Sequence, residues 1–131
     1  MKFDVDIRLS DRRLQDLQGE VEEKAHRAIK KAAFDIEANA KQSMMGPHTG
    51  RVYGEHQASA PGEAPAVDTA TLINSIGTKM LNRLLAVVYA AAEYALHLEL
   101  GTTRIAPRPF MLPAAERVKE SFRKAMRQIV R

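Results

Sequence analysis

The chain has 131 residues, of which 45% are hydrophobic and 27% are charged, and it contains no cysteine. A chain of this length buries about two-thirds of the surface that its unfolded form exposes, which predicts a single domain spanning residues 1–131. The absence of cysteine excludes disulfide bonds, thiolate nucleophiles, iron–sulfur clusters and thiolate-bound zinc.

The formal net charge of +4 is unevenly distributed along the chain. Residues 1–100 contain 12 Lys and Arg against 14 Asp and Glu, a net of −2, whereas residues 101–131 contain 8 against 2, a net of +6. Such a basic segment contacts nucleic acid or an acidic protein, or it forms the solvent-exposed face of an amphipathic helix. The composition leaves these interpretations open.

The sequence contains neither a typical export signal nor a typical membrane span. Asp4 and Asp6 lie where a signal peptide needs a basic start. The longest mainly apolar stretch is interrupted by Glu93, His97 and Glu99, and it falls short of the roughly 20 apolar residues that a bilayer span needs. We therefore expect a protein that is neither exported by that route nor inserted in a membrane.

Hydrophobic periodicity predicts a strand followed by a long helix. Residues 2–9 alternate between apolar and mostly charged side chains, which is typical of a strand with one buried face. From residue 11 to residue 44 apolar side chains recur at spacings of three and four, which predicts an amphipathic helix with a break at Gly19.

Residues 46–68, which we call the arm, hold four of the seven glycines and three of the six prolines. Neither a strand nor a helix is expected to run through them. Irregular segments of this length are uncommon inside compact domains and are usually functional or disordered. The composition therefore predicts a long flexible loop that reaches a neighbouring molecule.

The remaining residues complete a small α+β domain. In chain order we expect a short helix over 70–74, strands over 75–80 and 84–89, a helix over 90–100, a turn-rich connector over 102–110 and a final helix starting near Pro113. Phe110 is predicted to anchor that final helix in the core. The exposed face of the final helix is predicted to carry Arg117, Lys119, Arg123, Lys124 and Arg127. The predicted fold is an antiparallel sheet of three or four strands packed with a long N-terminal helix and a C-terminal helix.

No motif in the chain indicates catalysis or cofactor binding. The histidines lack the helical spacing of a zinc site, and Ser59 lacks the glycine-flanked turn of a hydrolase nucleophile. His97 and Glu99 are expected on different faces of a helix, with the Glu99 carboxylate paired to a nearby arginine. The sequence therefore predicts a protein that is not an enzyme and that binds no metal and no cofactor.

Several separated motifs follow one another in the second half of the chain. They are 56–69 (HQASAPGEAPAVDT), Leu72, 75–76 (SI), 94–95 (YA), 98–102 (LELGT), 106–110 (APRPF) and 112–114 (LPA). With the preceding long helix, they resemble the tail-completion, or head-to-tail joining, family of long-tailed bacteriophages and prophages. The similarity covers most of the chain from Lys24 onward. Ala70 stands where many members have glycine, and Leu100 where an aromatic residue is usual.

The resemblance implies a non-enzymatic virion assembly protein, a minor tail component found in the bacterial host cytoplasm during assembly and afterwards in the neck of the virion. It implies a homo-oligomeric ring, expected to be hexameric, that contacts the tail tube and head-completion proteins. We expect the isolated subunit to be a monomer whose arm becomes ordered against neighbouring subunits. The alternative hypothesis is a basic nucleic-acid-binding protein that uses its C-terminal helix.

Candidate contacts with other subunits or partners lie in the arm and around the connector. In and directly after the arm they are Arg51, Tyr53, His56, Ser59, Pro61, Gly62, Asp68 and Thr69. Around the connector they are Glu99, Thr102, Arg104 and Arg108. The polar groups around the connector either contact a neighbouring subunit or fix the connector locally, and the sequence leaves both roles open.

Overall fold

The computed structural model describes residues 3–8, 19–46, 50, 52–53, 56–57, 59–65 and 71–129. Its elements in chain order are β1 (Phe3–Arg8), α1 (Glu20–Met45), β2 (Val52–Tyr53), β3 (His56–Gln57), α2 (Thr71–Ser75), β4 (Ile76–Asn82), β5 (Leu85–Ala90), α3 (Ala95–Leu100) and α4 (Met111–Ile129). No helix within these ranges is long and apolar enough to cross a membrane.

Helix α1 begins directly after Gly19, the residue predicted to break the long helix. Gly19 has φ 68°, a backbone conformation that residues with a Cβ rarely adopt. Three acidic residues in the first turn of α1 interact favourably with the positive end of the helix dipole. The buried residues of α1 keep the predicted spacing of three and four: Ala25, Ile29, Ala32, Ala33, Ile36, Ala40 and Met44. The predicted helical residues 11–18 lie outside the described ranges.

The central strand of the sheet is β5, and it packs against the helices. β4 and β5 form an antiparallel hairpin in which Ile76 pairs with Ala90, with an irregularity between Met80 and Asn82. On the other side of β5, the backbone of β1 also pairs antiparallel, giving the order β1-β5-β4. Ala86, Val88 and Ala90 of β5 are fully buried in the same hydrophobic cluster as α1 and α4, since alternate residues of a strand face the same side.

The two long helices pack antiparallel over this sheet. Ala25 near the start of α1 shares a buried cluster with Met126 near the end of α4. The other end of α1, at Ser43, lies beside a cavity that Pro113 near the start of α4 also lines. Between these ends the core is built from side chains of both helices and the sheet, the largest fully buried ones being Phe110, Ile29, Met44, Met111 and Val88.

The predicted α+β class, with two long helices and an antiparallel sheet, is confirmed. Helix α4 begins two residues before Pro113, which occupies its first turn, and Phe110 is fully buried as expected. Arg117, Lys119, Arg123, Lys124 and Arg127 are all exposed, as the predicted solvent face of α4 requires.

Two predictions about local structure are wrong. A short antiparallel hairpin, β2–β3, runs through the arm, where no strand was expected; two residues on each side suffice for such a pair. The helix predicted over 90–100 begins only at Ala95, because the Ala91 N–H still donates to the Ser75 carbonyl at the sheet. Ala91 and Tyr94 therefore lie before this helix, and both are exposed.

Arg83, in the turn between β4 and β5, ties the hairpin to the start of α1. Its guanidinium donates a hydrogen bond to the Glu23 carboxylate and lies 3.6 Å from Oε1 of Glu22. His26 Nδ1 donates to the Arg83 carbonyl across 2.7 Å. The hydrogen bond from Arg83 is the main cause that holds the pKa of Glu23 below its ordinary value of 4.5.

This ion pair makes stability depend on acid. Because the pKa of Glu23 is lower in the folded state, its ionised form contributes stability above pH 4.5, and that contribution is lost as the pH falls through the lowered value. We expect Arg83→Gln to lose less stability than the wild type between pH 7 and about pH 3 in urea unfolding. Arg123→Gln, which removes an exposed pair within α4, is the control and should follow the wild type. Equal acid sensitivity in Arg83→Gln would contradict this role.

Candidate functional site

The connector, residues 102–110, links α3 to α4 and is folded back on itself. It is preceded by Gly101 with φ 75°, where an added Cβ would lie only 2.9 Å from the Ile105 carbonyl oxygen and from Pro107. The Thr102 N–H donates to the Ile105 carbonyl across 2.8 Å. In return, the Thr102 hydroxyl oxygen accepts the N–H groups of Arg104 and Ile105. This side-chain turn fixes the first half of the connector.

Glu99, the next-to-last residue of α3, fixes the other end of the connector. Its side chain is 5% exposed. Oε2 accepts the N–H groups of Phe110 at 2.7 Å and Met111 at 3.0 Å, and Oε1 accepts that of Leu112 at 2.8 Å. The first N–H groups of a helix have no partner within the helix, and the helix dipole favours a negative charge there. Glu99 therefore satisfies the start of α4 and holds Phe110 at the core.

Residues 59–65, which we call the arm root, are held by the connector. The Gly62 N–H donates to the Pro107 carbonyl across 2.9 Å, in a turn where Gly62 has φ 87°. Arg108 contacts both sides: its N–H donates to the Leu98 carbonyl at 2.6 Å, and its Nε donates to the Ser59 carbonyl at 3.4 Å. Ser59 is buried at 6% exposure. Residues 59–65 are thus part of the folded body.

Three large apolar side chains are exposed on and beside the connector. Leu100 is 65% exposed, Leu112 is 58% exposed and Ile105 is 41% exposed; we call these residues the apolar triad. Their backbones belong to the same hydrogen-bonded assembly, since Leu100 follows Glu99, Leu112 donates to Glu99, and Ile105 closes the turn on Thr102. Single exposed leucines are ordinary, but three exposed apolar side chains along one hydrogen-bonded segment make it a candidate contact surface.

Two surface cavities flank α4. One, of about 380 Å³, lies between the end of α1, the arm root and the start of α4, where Ser43, Ala64 and Arg117 line it. The other, of about 420 Å³, is lined by residues near the end of α4, among them Lys124 and Arg127. Among the residues of the described ranges, no three His, Asp or Glu lie together as a metal ion requires.

The exposed face of α4 is basic. Arg117, Lys119, Lys124 and Arg127 are exposed, and none forms an ion pair with another residue of the described ranges. Glu116 and Glu120 lie on the same face, and Glu120 accepts a hydrogen bond from Arg123 at 3.4 Å. The face therefore combines a positive excess with two interspersed carboxylates.

The structure brings part of the predicted contact set together. Ser59, Gly62, Glu99, Thr102 and Arg108 all take part in the hydrogen bonds that join the connector, the arm root and α4. Pro61 and Arg104 are exposed beside them. The backbones of Tyr53 and His56 pair with each other in the β2–β3 hairpin. The predicted positions that lie outside the described residues are Arg51, Asp68 and Thr69.

The expectation that Glu99 pairs with an arginine is wrong, because its partners are backbone N–H groups. These hydrogen bonds are those of the local role, one of the two that the sequence left open. Thr102 and Arg108 likewise fix the connector and the arm root. One signal for Glu99 is present in the sequence: the residues before α4, Pro109 and Phe110, include no N-cap side chain, so its first N–H groups need an acceptor from elsewhere.

The apolar triad was not among the predicted contacts. The sequence does not distinguish Leu100, Ile105 and Leu112 from other apolar positions, because exposure depends on where the neighbouring elements pack.

No protein-family model, curated protein or solved structure gave a significant match to the chain.

Proposed function

We propose that the chain is a non-enzymatic virion assembly protein of a phage or prophage, which forms a ring at the head-proximal end of the tail and joins tail to head. The observation that carries the proposal is the apolar triad on a connector fixed by hydrogen bonds. A contact surface that is already ordered loses little conformational entropy on binding, so its apolar area contributes directly to affinity. The ordered motifs that resemble the tail-completion family support the same conclusion.

The arm supplies a second contact in this proposal. Its root is anchored to the connector through Gly62 and Arg108, so the rest of the arm starts from the same surface as the apolar triad. Because the segment before the root is held at α1 and at the root, and β2 and β3 pair as a hairpin within it, its reach is half of its extended length, roughly 20 Å at about 3.5 Å per residue. An arm and an apolar surface that emerge together are suited to contact adjacent copies in a ring.

The finer features of the proposal follow from the family resemblance. The ring is a hexamer that contacts the tail tube on one side and the head-completion protein on the other. The protein acts in the bacterial host cytoplasm during assembly and stays in the neck of the virion. The complete domain has a sheet of three or four strands, which the backbone pairing of β1 with β5 supports.

Replacing part of the arm tests this proposal. We expect a variant in which a Gly-Ser linker of equal length replaces residues 47–58 to keep the thermal stability of the wild type, because the arm root at 59–65 is retained. The wild type should be a monomer in dilute solution and self-associate as its concentration rises in sedimentation velocity. The linker variant should remain a monomer. Equal self-association of both proteins would remove the arm from the interface, and a wild type that is monomeric at every concentration would contradict self-assembly.

Nucleic-acid binding is the second candidate function, and the exposed cations of α4 favour it. Arg117, Lys119, Lys124 and Arg127 have no ion-pair partner among the described residues, so they are free to contact phosphates. Against it, Glu116 and Glu120 share the face, and the aromatic residues found exposed in the described ranges, Phe34 and Tyr94, lie on other elements.

A salt titration separates the two functions. If α4 binds nucleic acid, a labelled duplex should bind at low salt and lose affinity steeply at higher salt, by about one power of the salt concentration for each phosphate contact. A variant with glutamine at the four cations without an ion-pair partner among the described residues, Arg117, Lys119, Lys124 and Arg127, should lose this binding. We expect no salt-sensitive binding by the wild type, because in the proposed assembly protein the basic face of α4 is exposed to solvent.

A further inference from the structure

We infer that the arm root and residues 102–109 of the connector form one conformational unit that opens together while the core, including Phe110 and Met111, stays folded, and that Glu99 closes the base of this unit at the start of α4. The inference deepens the proposed function, since the unit carries Ile105 and the base of the arm and is flanked by Leu100 and Leu112 of the apolar triad. It stands on the hydrogen bonds alone and is tested on the isolated chain, so its failure and that of the proposed assembly role are distinguishable.

The hydrogen bonds form a continuous path from α3 to the arm. Glu99 holds the N–H groups of residues 110–112, and the adjacent Arg108 N–H is held by the Leu98 carbonyl. Pro107 then holds Gly62, and Arg108 holds the Ser59 carbonyl. Each segment has its partners in the others, so releasing one removes the acceptor of the next.

Residues 102–107 of the connector have few other ties to the body. They are exposed, and their described backbone hydrogen bonds lie within the connector or reach the arm root. The core of α1 and β5, in contrast, is fully buried. Segments with few buried apolar contacts open at lower free energy than the core, as contiguous cooperative groups of residues. The connector fits that description, and Glu99 is its single buried charged anchor among the described residues.

Coupling of this kind is reciprocal in its free energies. A partner that orders the arm root also stabilises the connector and the start of α4. In the proposed assembly role, engagement of the arm by one neighbour therefore strengthens the surface that carries the apolar triad for the next.

Amide hydrogen exchange measured by NMR tests the inference. In Glu99→Gln, we expect the amides of Gly62, Thr102, Arg108 and residues 110–112 to exchange about tenfold or more faster, by a common factor, because a charged acceptor is lost. Amides in the middle of α1 and in β5 that exchange through global unfolding should accelerate by no more than the same factor and should remain slower than those of the unit, because the variant destabilises the native state that both openings start from. Glu93→Gln, which changes an exposed carboxylate just before α3, is the matched control and should leave all of these rates unchanged.

A second variant perturbs the same unit from another point. Gly101→Ala places a Cβ 2.9 Å from the Ile105 carbonyl oxygen without touching Glu99, and it should accelerate the same set of amides. Gly19→Ala is its control, because Gly19 also has positive φ but an added Cβ meets nothing within 4 Å.

Three results would overturn the inference. Faster exchange confined to residues 110–112 would show a local cap without coupling to the arm root. Opening free energies in the wild type that are equal for the unit and for the core of α1 and β5 would show that the unit opens only with global unfolding. If either variant does not fold, exchange of the wild type in low denaturant decides: the amides of the unit should share one opening free energy below that of the core, and separate values would overturn the inference.

Discussion

Glu99→Ala is expected to lower the free energy of unfolding by about 3 kcal/mol or more, a large part of the roughly 5–15 kcal/mol of a typical domain. The carboxylate accepts three backbone N–H groups, and hydrogen bonds to a charged group contribute about 1.5–3 kcal/mol each. Alanine leaves these N–H groups without their acceptor at a site that is largely shielded from water. The effects of the three bonds are not additive, because water reaches part of the released helix end.

The measurement is urea unfolding followed by circular dichroism, with Glu93→Ala as control. Glu93 is exposed and precedes the same helix, so its replacement should change stability by no more than about 0.5 kcal/mol. A Glu99→Ala variant as stable as the control would show that the start of α4 does not depend on this carboxylate.

The second large effect concerns self-association. A triple variant with glutamine at Leu100, Ile105 and Leu112 is expected to weaken self-association by about 100-fold or more. Burying a large apolar side chain contributes about 1.5–3 kcal/mol, and even partial burial of three such side chains in an interface exceeds the 2.8 kcal/mol or so that a factor of about 100 represents. The folded monomer should keep its stability, since all three side chains are exposed in it.

A matched control uses three other exposed apolar residues. Phe34, Met45 and Leu81 are 47%, 71% and 51% exposed and lie on α1 and β4, away from the connector in sequence. Their triple replacement by glutamine removes a similar amount of exposed apolar surface and should leave the sedimentation behaviour of the wild type intact. Equal weakening in both variants would show that general stickiness, and not the connector surface, drives association.

Sequence periodicity predicted the elements that are set by local pattern. The buried faces of α1 and α4 follow spacings of three and four, and Phe110 stands at a position where an apolar run meets a helix start. These features depend on which residues share a face, and the chain itself carries that information.

The candidate site depends on packing between distant segments, and the sequence predicted less of it. Glu99 and the N–H groups that it accepts are 11 to 13 residues apart, and the connector between them has to fold back before they meet. Gly62 and Pro107 are hydrogen-bonded in the fold, but α2, β4, β5 and α3 lie between them in the sequence. The arm was predicted as one irregular loop because its glycines and prolines dominate its composition, yet its root is hydrogen-bonded to the connector. Composition predicts local irregularity and says little about docking.

The direct test of the proposed role is the composition and layout of virus particles made by the host that encodes the chain. Mass spectrometry of purified particles, with immunogold labelling against this chain, should find it in the particle and label the junction of head and tail. Cross-linking should connect it to further copies of itself and to proteins of the tail end and the head. Particles that lack the chain, or label that lies elsewhere, would contradict a tail-completion role.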